Sequence, residues 1–378
     1  MKTDDPTAAP SAPTLPSWLP AAFRAAAVGL IYWMTAAAVL GSFLDQWALG
    51  DKWRKSRFHK AVHFTAPRPF AYRVLTPWLV REIAERLPAA ARRELAEQTE
   101  ALRRRYALRP GNDVEYAVAY YLLLAAYLGT MLAWRASFRV LGRGSPLLWD
   151  VAPAVALLLL PLTFGRGGFL YDPLELALTG LALCFFLRRS WIPYYLTFLL
   201  ALLNKEADVL LPVWLLAPLT IDRDWRFFLR HAALSVAVGA PPFLLVRWWF
   251  RRSPGNPLTP MWEKNLTFLT DPNSYWSGFE AYAPGVQAPH AFHALNLFLL
   301  GTLLALVWRR AYLREVRLIF LYSVLAYLPF FLLFGFKDEV RVFAPAFAAF
   351  VLLAAHGLRE AACGADPSEP RGSGAHSA

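Results

Sequence analysis

Long apolar runs separated by short polar connections dominate the pattern along the chain. Runs such as 152–164 and 318–334 offer no polar face at helical spacing, so they do not suit a surface helix in water. A helix needs roughly 20 apolar residues to cross a hydrocarbon core of about 30 Å. The pattern predicts an all-α, polytopic transmembrane bundle of about ten spans, near 22–43, 114–134, 147–164, 172–187, 190–204, 207–221, 229–249, 291–308, 317–335 and 342–358.

The division between the fifth and sixth spans rests on one polar segment. A continuous helix over 190–221 would be roughly 48 Å long, which exceeds the apolar core. Asn204, Lys205, Glu206 and Asp208 lie in its middle. A charge at the bilayer centre costs at least about 2.5–3.5 kcal/mol. We therefore expect two short spans with this segment at a membrane face.

The distribution of basic residues sets the orientation. With the N-terminus inside, arginines concentrate in the inner connections around 135–143, 188–189, 223–230 and 309–317, as the positive-inside rule requires. The basic outer loop 44–113 exceeds about 60 residues and escapes that rule. The predicted organisation is a cytoplasmic tail (1–21), a membrane domain (22–358) with outer loops 44–113 and 250–290, and a disordered cytoplasmic tail (359–378) rich in Gly, Ser, Ala and Pro.

The first outer loop contains helical patterns of its own. Thr76-Pro77 is typical of a helix start, and Leu75, Leu79 and Ile83 follow at four-residue spacing with charged residues between them. Pro88 ends this helix, and a second, strongly charged helix follows. The pattern favours amphipathic helices that lie along the membrane interface.

Composition supports the membrane assignment. Hydrophobic residues make up 57% of the chain and charged residues 17%, against about 25% charged in soluble proteins. The net charge of +12 lies largely beside apolar spans, so anionic lipid explains it better than nucleic acid, and no nucleic-acid partner is predicted. The two cysteines, Cys184 and Cys363, exclude a disulfide framework. No cofactor is predicted, and the metal requirement stays open.

Under this topology the unusual acidic residues gather on the outer side. Asp45 directly follows the first span, where it would either act as a general base on an acceptor hydroxyl or simply end the helix as a solvated acid. Asp172 begins the fourth span; it would either line an outer cavity with Glu175 or cap the helix. Glu206 follows Lys205 between two short spans, where ionisable residues face a wet cavity or pair with each other.

Basic residues share this side. Arg68 and Arg73 precede the first interfacial helix, where a guanidinium is a good phosphate partner, or reaches the lipid headgroups instead. Glu339 and Arg341 belong to a mixed-sign cluster with Lys337 and Asp338, which is either part of a site or only a connector.

Four short motifs resemble the GT-C superfamily of polyprenyl-phosphate-sugar-dependent glycosyltransferases. Asp45 matches a catalytic acid soon after the first span, and Arg73-Val74-Leu75-Thr76-Pro77 is similar to an Arg-x-Leu-x-Pro element. Asn204-Lys205-Glu206 resembles a Lys/Arg-Glu pair at the start of a span. Glu339-Val340-Arg341 with Pro345 resembles a Glu-x-Arg element followed by proline. The resemblance covers roughly residues 20–358.

This resemblance implies a GT-C-like fold and a sugar-transfer function. The donor would be a polyprenyl-phosphate sugar, the acceptor a glycan, lipid or protein hydroxyl, and the location the outer face of a bacterial inner membrane. Two alternatives stay open: a transporter or flippase of a lipid-linked saccharide, and a non-catalytic polysaccharide-assembly subunit. The residue pattern and the resemblance together give Asp45, Asp172 and Glu206 as catalytic candidates and Arg68, Arg73, Lys205, Glu339 and Arg341 as donor-binding candidates; Asp172 and Arg68 rest on the residue pattern alone.

Overall fold

The computed structural model describes residues 18–51, 57–142, 146–159, 168–256, 258–276, 278–281, 287–289, 292–308, 310–337 and 339–363. The predicted terminal tails, Asp338 and the end of the third predicted span lie partly or wholly outside these ranges. Within them the chain is helical, apart from one short antiparallel pair of strands, β1 (Phe279–Ala281) and β2 (Gln287–Pro289).

The helices are numbered in chain order. They are α1 (Trp18–Trp47), α2 (Phe58–Val62), α3 (Leu75–Arg86), α4 (Ala89–Tyr106), α5 (Asp113–Leu141), α6 (Pro146–Leu159), α7 (Asp172–Leu187), α8 (Trp191–Asn204), α9 (Leu216–Asp222), α10 (Trp225–Trp249), α11 (Trp262–Thr270), α12 (Asn273–Trp276), α13 (Ala294–Val307), α14 (Arg314–Phe334) and α15 (Ala344–Cys363).

The predicted membrane character is confirmed by the length and apolarity of the helices. Five helical stretches among the described residues are long and apolar enough to cross a membrane: Ala21–Gly50, Asp113–Leu141, Trp225–Trp249, Arg314–Phe334 and Val340–Ala362. Shorter apolar helices cover Pro146–Leu159, Trp191–Asn204 and Ala294–Val307. The larger count of ten spans stays a prediction.

The chain reverses at Lys205, as expected from the polar segment. Helix α8 ends at Asn204, Lys205 is extended (φ −152°, ψ 124°), and a 3₁₀ helix over Glu206–Leu215 leads into α9. Trp214 returns to within 5.9 Å of the Phe186 ring, next to the start of α8. The predicted break in the helix over 190–221 is confirmed, whereas the two short spans on either side of it stay a prediction. The second half of the segment begins as a 3₁₀ helix that contains Pro212, which lacks the N–H an α-helix would use.

Ion pairs connect neighbouring helices at each of the two ends of the bundle. At one end, which we call the basic end, Arg24 of α1 pairs with Asp150 of α6, and Arg189 pairs with Glu315 of α14. At the other end, the start of α7 lies beside the end of α8, where Lys205 contacts Glu175. Because polar residues distant in sequence meet there, we call it the cluster end.

Helix α7 forms the centre of the bundle. Most of its residues are buried, and it packs against α5, α8 and α15. Gly180 makes the approach to α5 close: a Cβ at this position would lie 3.1 Å from the Trp134 ring. A larger side chain would separate the two helices that position the cluster.

Helix α3, the predicted interfacial helix, begins at Leu75, one residue before the predicted Thr-Pro start. Val80 and Ala84 are buried against the bundle, whereas Ile83 is 41% exposed. The position of this helix along the membrane interface stays a prediction. The predicted second helix of the loop is confirmed as α4.

A buried ion-pair cluster as the candidate functional site

Arg341 joins the starts of α7 and α15. Its Nη1 lies 3.1 Å from Oδ2 and 3.3 Å from Oδ1 of Asp172, a residue 169 positions earlier, and its Nη2 contacts Glu339. Asp172 also accepts a hydrogen bond of 2.8 Å from the backbone N–H of Phe169. Asp172 is the first residue of α7 and accepts no hydrogen bond from the first turn of that helix, so the predicted capping role is wrong. Its role in lining an outer cavity stays a prediction.

Lys205 extends the same network. Its Nζ lies 2.9 Å and 2.7 Å from the two carboxylate oxygens of Glu175 and 3.8 Å from Oδ1 of Asp172. All three residues are buried. Because Glu175 is one turn into α7 from Asp172, both carboxylates lie on the same face and share one ammonium group.

Arg73 brings the first outer loop to the cluster. Its Nε lies 3.2 Å from Oε2 of Glu206, the residue after Lys205. Two hydrogen bonds hold this loop to the end of α8: Val74 N–H donates to the Leu203 carbonyl at 3.0 Å, and the Thr76 hydroxyl lies 2.5 Å from the Asn204 side-chain oxygen. The Arg-x-Leu-x-Pro segment is thereby tied to the Asn-Lys-Glu segment.

Two stacked aromatic rings contact the guanidinium groups of Arg73 and Arg341. Arg73 lies over the Tyr171 ring at 4.3 Å, Tyr171 stacks on Phe169 with centroids 5.5 Å apart, and Arg341 lies over Phe169 at 4.3 Å. Cation–π contacts of this kind hold a guanidinium at a fixed position. The aromatic pair Phe169 and Tyr171 therefore helps to position both Arg73 and Arg341.

Several polar atoms in this region have no partner among the described residues. They include Nη1 of Arg73, Nε of Arg341 and the Tyr171 hydroxyl. Two guanidinium groups thus keep a buried N–H without an acceptor, and such groups are expensive unless something satisfies them. An anion or a hydroxyl-rich ligand would supply the missing acceptors.

Asp208 is a buried acid that is not among the predicted site residues. It is fully buried, and neither carboxylate oxygen has a hydrogen-bond partner within the described ranges. Its strongest electrostatic neighbours are Glu175 and Lys205. The signal for it was its position four residues after the end of α8, directly before an apolar stretch. With Asp208 included, the cluster holds five carboxylates against three cations.

Asp45 lies apart from this network. It is exposed at the end of α1, whereas Phe43 and Trp47, two positions to either side, pack against Gly168. Positions two apart lie on opposite sides of a helix, so Asp45 faces the other way. There it approaches Tyr106 of α4: burial raises the pKa of this phenol, and the Asp45 carboxylate acts in the same direction.

Arg68 also makes no ion pair with the cluster in the described part of the chain. Its backbone N–H donates to the Pro254 carbonyl at 2.8 Å and so connects the two outer loops. Asp51 is structural, since it accepts hydrogen bonds from Phe58 N–H at 3.1 Å and from the Tyr116 hydroxyl. Of the eight predicted site residues, the cluster brings together Asp172, Glu206, Arg73, Lys205, Glu339 and Arg341.

Comparisons with known proteins found no match, so a functional proposal for this chain rests on the geometry of the cluster. No protein-family model, no curated protein and no solved structure matches this chain. Among the described residues, no group of three or more His, Cys, Asp or Glu side chains is arranged to hold a metal ion.

Proposed function

We propose that this chain is a GT-C-type membrane glycosyltransferase that moves a sugar from a polyprenyl-phosphate donor to an acceptor hydroxyl. The observation that carries the proposal is the convergence of Arg73, Lys205 and Arg341 at the cluster end, from three connections far apart in sequence. In the proposed ten-span topology, with both termini inside, this end lies at the outer face of a bacterial inner membrane.

The three cations would bind the phosphate of the donor. A guanidinium offers two parallel N–H donors to phosphate oxygens, and the unsatisfied N–H groups of Arg73 and Arg341 are available for them. The carboxylates that now pair with these cations hold them in place. In this scheme Asp172, Glu206 and Glu339 position the binding groups, and the cations stabilise the charge of the departing polyprenyl phosphate.

The general base in this scheme is Asp45, the acid that the resemblance assigns. Because Asp45 faces away from the cluster, the scheme requires the donor sugar to extend from the phosphate site around the end of α1. There Asp45 removes the proton of the acceptor hydroxyl, whose oxygen attacks the anomeric carbon. The bond from that carbon to the phosphate oxygen breaks, and polyprenyl phosphate leaves with the electron pair. A single displacement inverts the anomeric configuration. The exposure of Asp45 supports this role because the acceptor must reach it from water.

Sugar transfer by the purified chain in proteoliposomes tests the proposal. The donors are polyprenyl-phosphate glucose and polyprenyl-phosphate mannose, with a nucleotide sugar as the control donor and a bacterial envelope extract as the acceptor source. We expect transfer from one of the lipid-linked donors and none from the nucleotide sugar. Transfer from the nucleotide sugar alone would refute the proposal.

A second candidate function is proton-coupled transport of a lipid-linked saccharide. The observation that favours it is Asp208, a fully buried carboxylate without a partner in the described structure. Buried acids inside membrane domains often carry protons in pumps and transporters. Transport would need Asp208 and leave the sugar attached to its lipid, whereas the proposed transferase separates the two.

A further inference from the structure

A cavity opens at the basic end of the bundle, at the opposite end from the ion-pair cluster. It has a volume of about 610 Å³ and lies where α1, α5 and α6 meet. Its lining combines three arginines with small and aromatic side chains: Ala21, Arg24, Ala25, Arg135, Arg139, Pro146 and Trp149.

Among the described residues, this cavity has more arginines than acidic residues that pair with them. Arg24 and Arg135 share one carboxylate: their Nε atoms each lie 2.7 Å from an oxygen of Asp150. Arg139 lines the same cavity and makes no ion pair within the described residues. Arg135 and Arg139 are four positions apart on α5, where like charges repel each other. The cavity therefore carries a local excess of positive charge.

A buried hydroxyl lies close to the same charges. Tyr32 of α1 is 2% exposed, and its hydroxyl has no hydrogen-bond partner among the described residues. Arg135 and Asp150 are its strongest electrostatic neighbours. Tyr32 is not among the lining residues, so its hydroxyl adds a buried polar group beside the arginines but no contact to the cavity itself.

The surface around the cavity is strongly apolar. Phe23 of α1 and Leu147 of α6 are 75% and 70% exposed, and Leu30 is 60% exposed. Side chains of this size and exposure face acyl chains in a membrane protein. Trp149 in the cavity lining has the amphipathic ring that is enriched at membrane interfaces.

We propose that this cavity is a binding site for the anionic headgroup of a membrane phospholipid. Arg135 and Arg139 bind the phosphate oxygens, Arg24 closes the site from α1, and the acyl chains lie along the exposed apolar residues of α1 and α6. The charge excess selects an anionic lipid over a zwitterionic one. In the proposed topology this end faces the cytoplasmic leaflet, where anionic lipids attract basic groups. The site is independent of the sugar-transfer chemistry.

Lipid binding to the purified full-length chain tests this assignment. Native mass spectrometry would compare phosphatidylglycerol with phosphatidylcholine for the wild type, Arg139→Gln and the control Arg226→Gln. Arg226 is exposed and lies outside the cavity, so Arg226→Gln removes the same charge as Arg139→Gln but away from the cavity. We expect a preference for phosphatidylglycerol that falls about tenfold in Arg139→Gln and stays unchanged in the control, as the loss of one charge-assisted contact implies.

Three results would overturn the proposal. The first is equal binding of the two lipids by the wild type. The second is an equal effect of Arg139→Gln and Arg226→Gln, which would show that the preference for phosphatidylglycerol comes from the overall surface charge and not from the cavity. The third is binding of inorganic phosphate as tight as that of phosphatidylglycerol, which would assign the cavity to a soluble anion. Arg139 pairs with no acid in the described structure, so its replacement leaves the Asp150 ion pairs and the fold intact.

Discussion

Lys205 Nζ lies 2.7 Å from Oε2 of Glu175, a residue 30 positions earlier on a different helix. Both side chains are buried. The chain reversal at Lys205 puts the ammonium group beside the first turn of α7, and the ion pair then fixes the reversal to the centre of the bundle. The same contact serves the fold and the proposed phosphate site.

Removal of Lys205 should destabilise the protein strongly. Lys205→Met leaves Glu175 and Asp172 buried without their shared cation, and breaking a buried pair costs about 3–5 kcal/mol. Thermal unfolding in detergent measures the loss. Lys264→Met, at an exposed position, is the control. The double variant Lys205→Met/Glu175→Gln should recover part of the stability. Equal melting temperatures for the two single variants would contradict the account.

Loss of the charge at Asp172 and loss of the charge at Asp208 should have different effects on the melting temperature. Asp172→Asn weakens the contacts with Arg341 and Lys205, so it should lower the melting temperature. Asp208→Asn removes a carboxylate that has no cation contact within 4 Å in the described structure, so it should leave the melting temperature unchanged or raise it. A larger loss in Asp208→Asn than in Asp172→Asn would show that Asp208 has a stabilising partner.

The variant Arg341→Lys tests whether the planar shape of the Arg341 guanidinium matters in addition to its positive charge. Lysine keeps the positive charge but cannot present two parallel donors to a carboxylate or a phosphate. We expect sugar transfer to fall about 100-fold with little change in expression, in line with the loss of one preorganised donor to a charged transition state. Steady-state kinetics in proteoliposomes measure this, and an unchanged kcat/KM would remove Arg341 from donor binding.

Asp45→Asn tests the general base. The residue is exposed, so the substitution should leave folding and membrane insertion intact while transfer falls about 10²- to 10⁴-fold. Asp271→Asn, an exposed acid of the second outer loop, is the matched control and should retain full activity. Retained transfer in Asp45→Asn would exclude Asp45 as the base.

The contact of α7 with α5 should tolerate no larger residue at Gly180. A Cβ there would lie 3.1 Å from Trp134, whereas a Cβ at Gly29 of α1 would meet nothing within 4 Å. Gly180→Ala should destabilise the protein by about 1–3 kcal/mol through overpacking, and Gly29→Ala should be neutral or stabilising. The two melting temperatures, measured side by side, check this; equal values would show that α5 moves freely.

Much of the cluster was predictable from the sequence. Its residues lie in connections between apolar stretches, and the number of membrane spans between two connections predicts whether they lie on the same side of the membrane. The reversal at Asn204–Asp208 followed from charge in the middle of an overlong apolar stretch. Arg73, Lys205 and Arg341 followed from motifs in connections assigned to the same side. These inferences need only span length and the cost of buried charge.

The remaining features depend on tertiary packing. The side of α3 that packs against the bundle is set by Thr76, which the end of α8 holds in place. The direction of Asp45 is set by the packing of Phe43 and Trp47 against Gly168. The isolation of Asp208 arises because its charged neighbours pair with one another. None of these relationships has a signature in one short segment.

The central claim is most directly tested with a polyprenyl-phosphate sugar labelled separately on the sugar and on the lipid. Proteoliposomes with the purified chain receive this donor and an envelope extract as acceptor source, with vesicles lacking the chain as the control. Our account predicts that the sugar label moves to the acceptor while the lipid label remains in the membrane as polyprenyl phosphate. Passage of both labels together across the bilayer would contradict it.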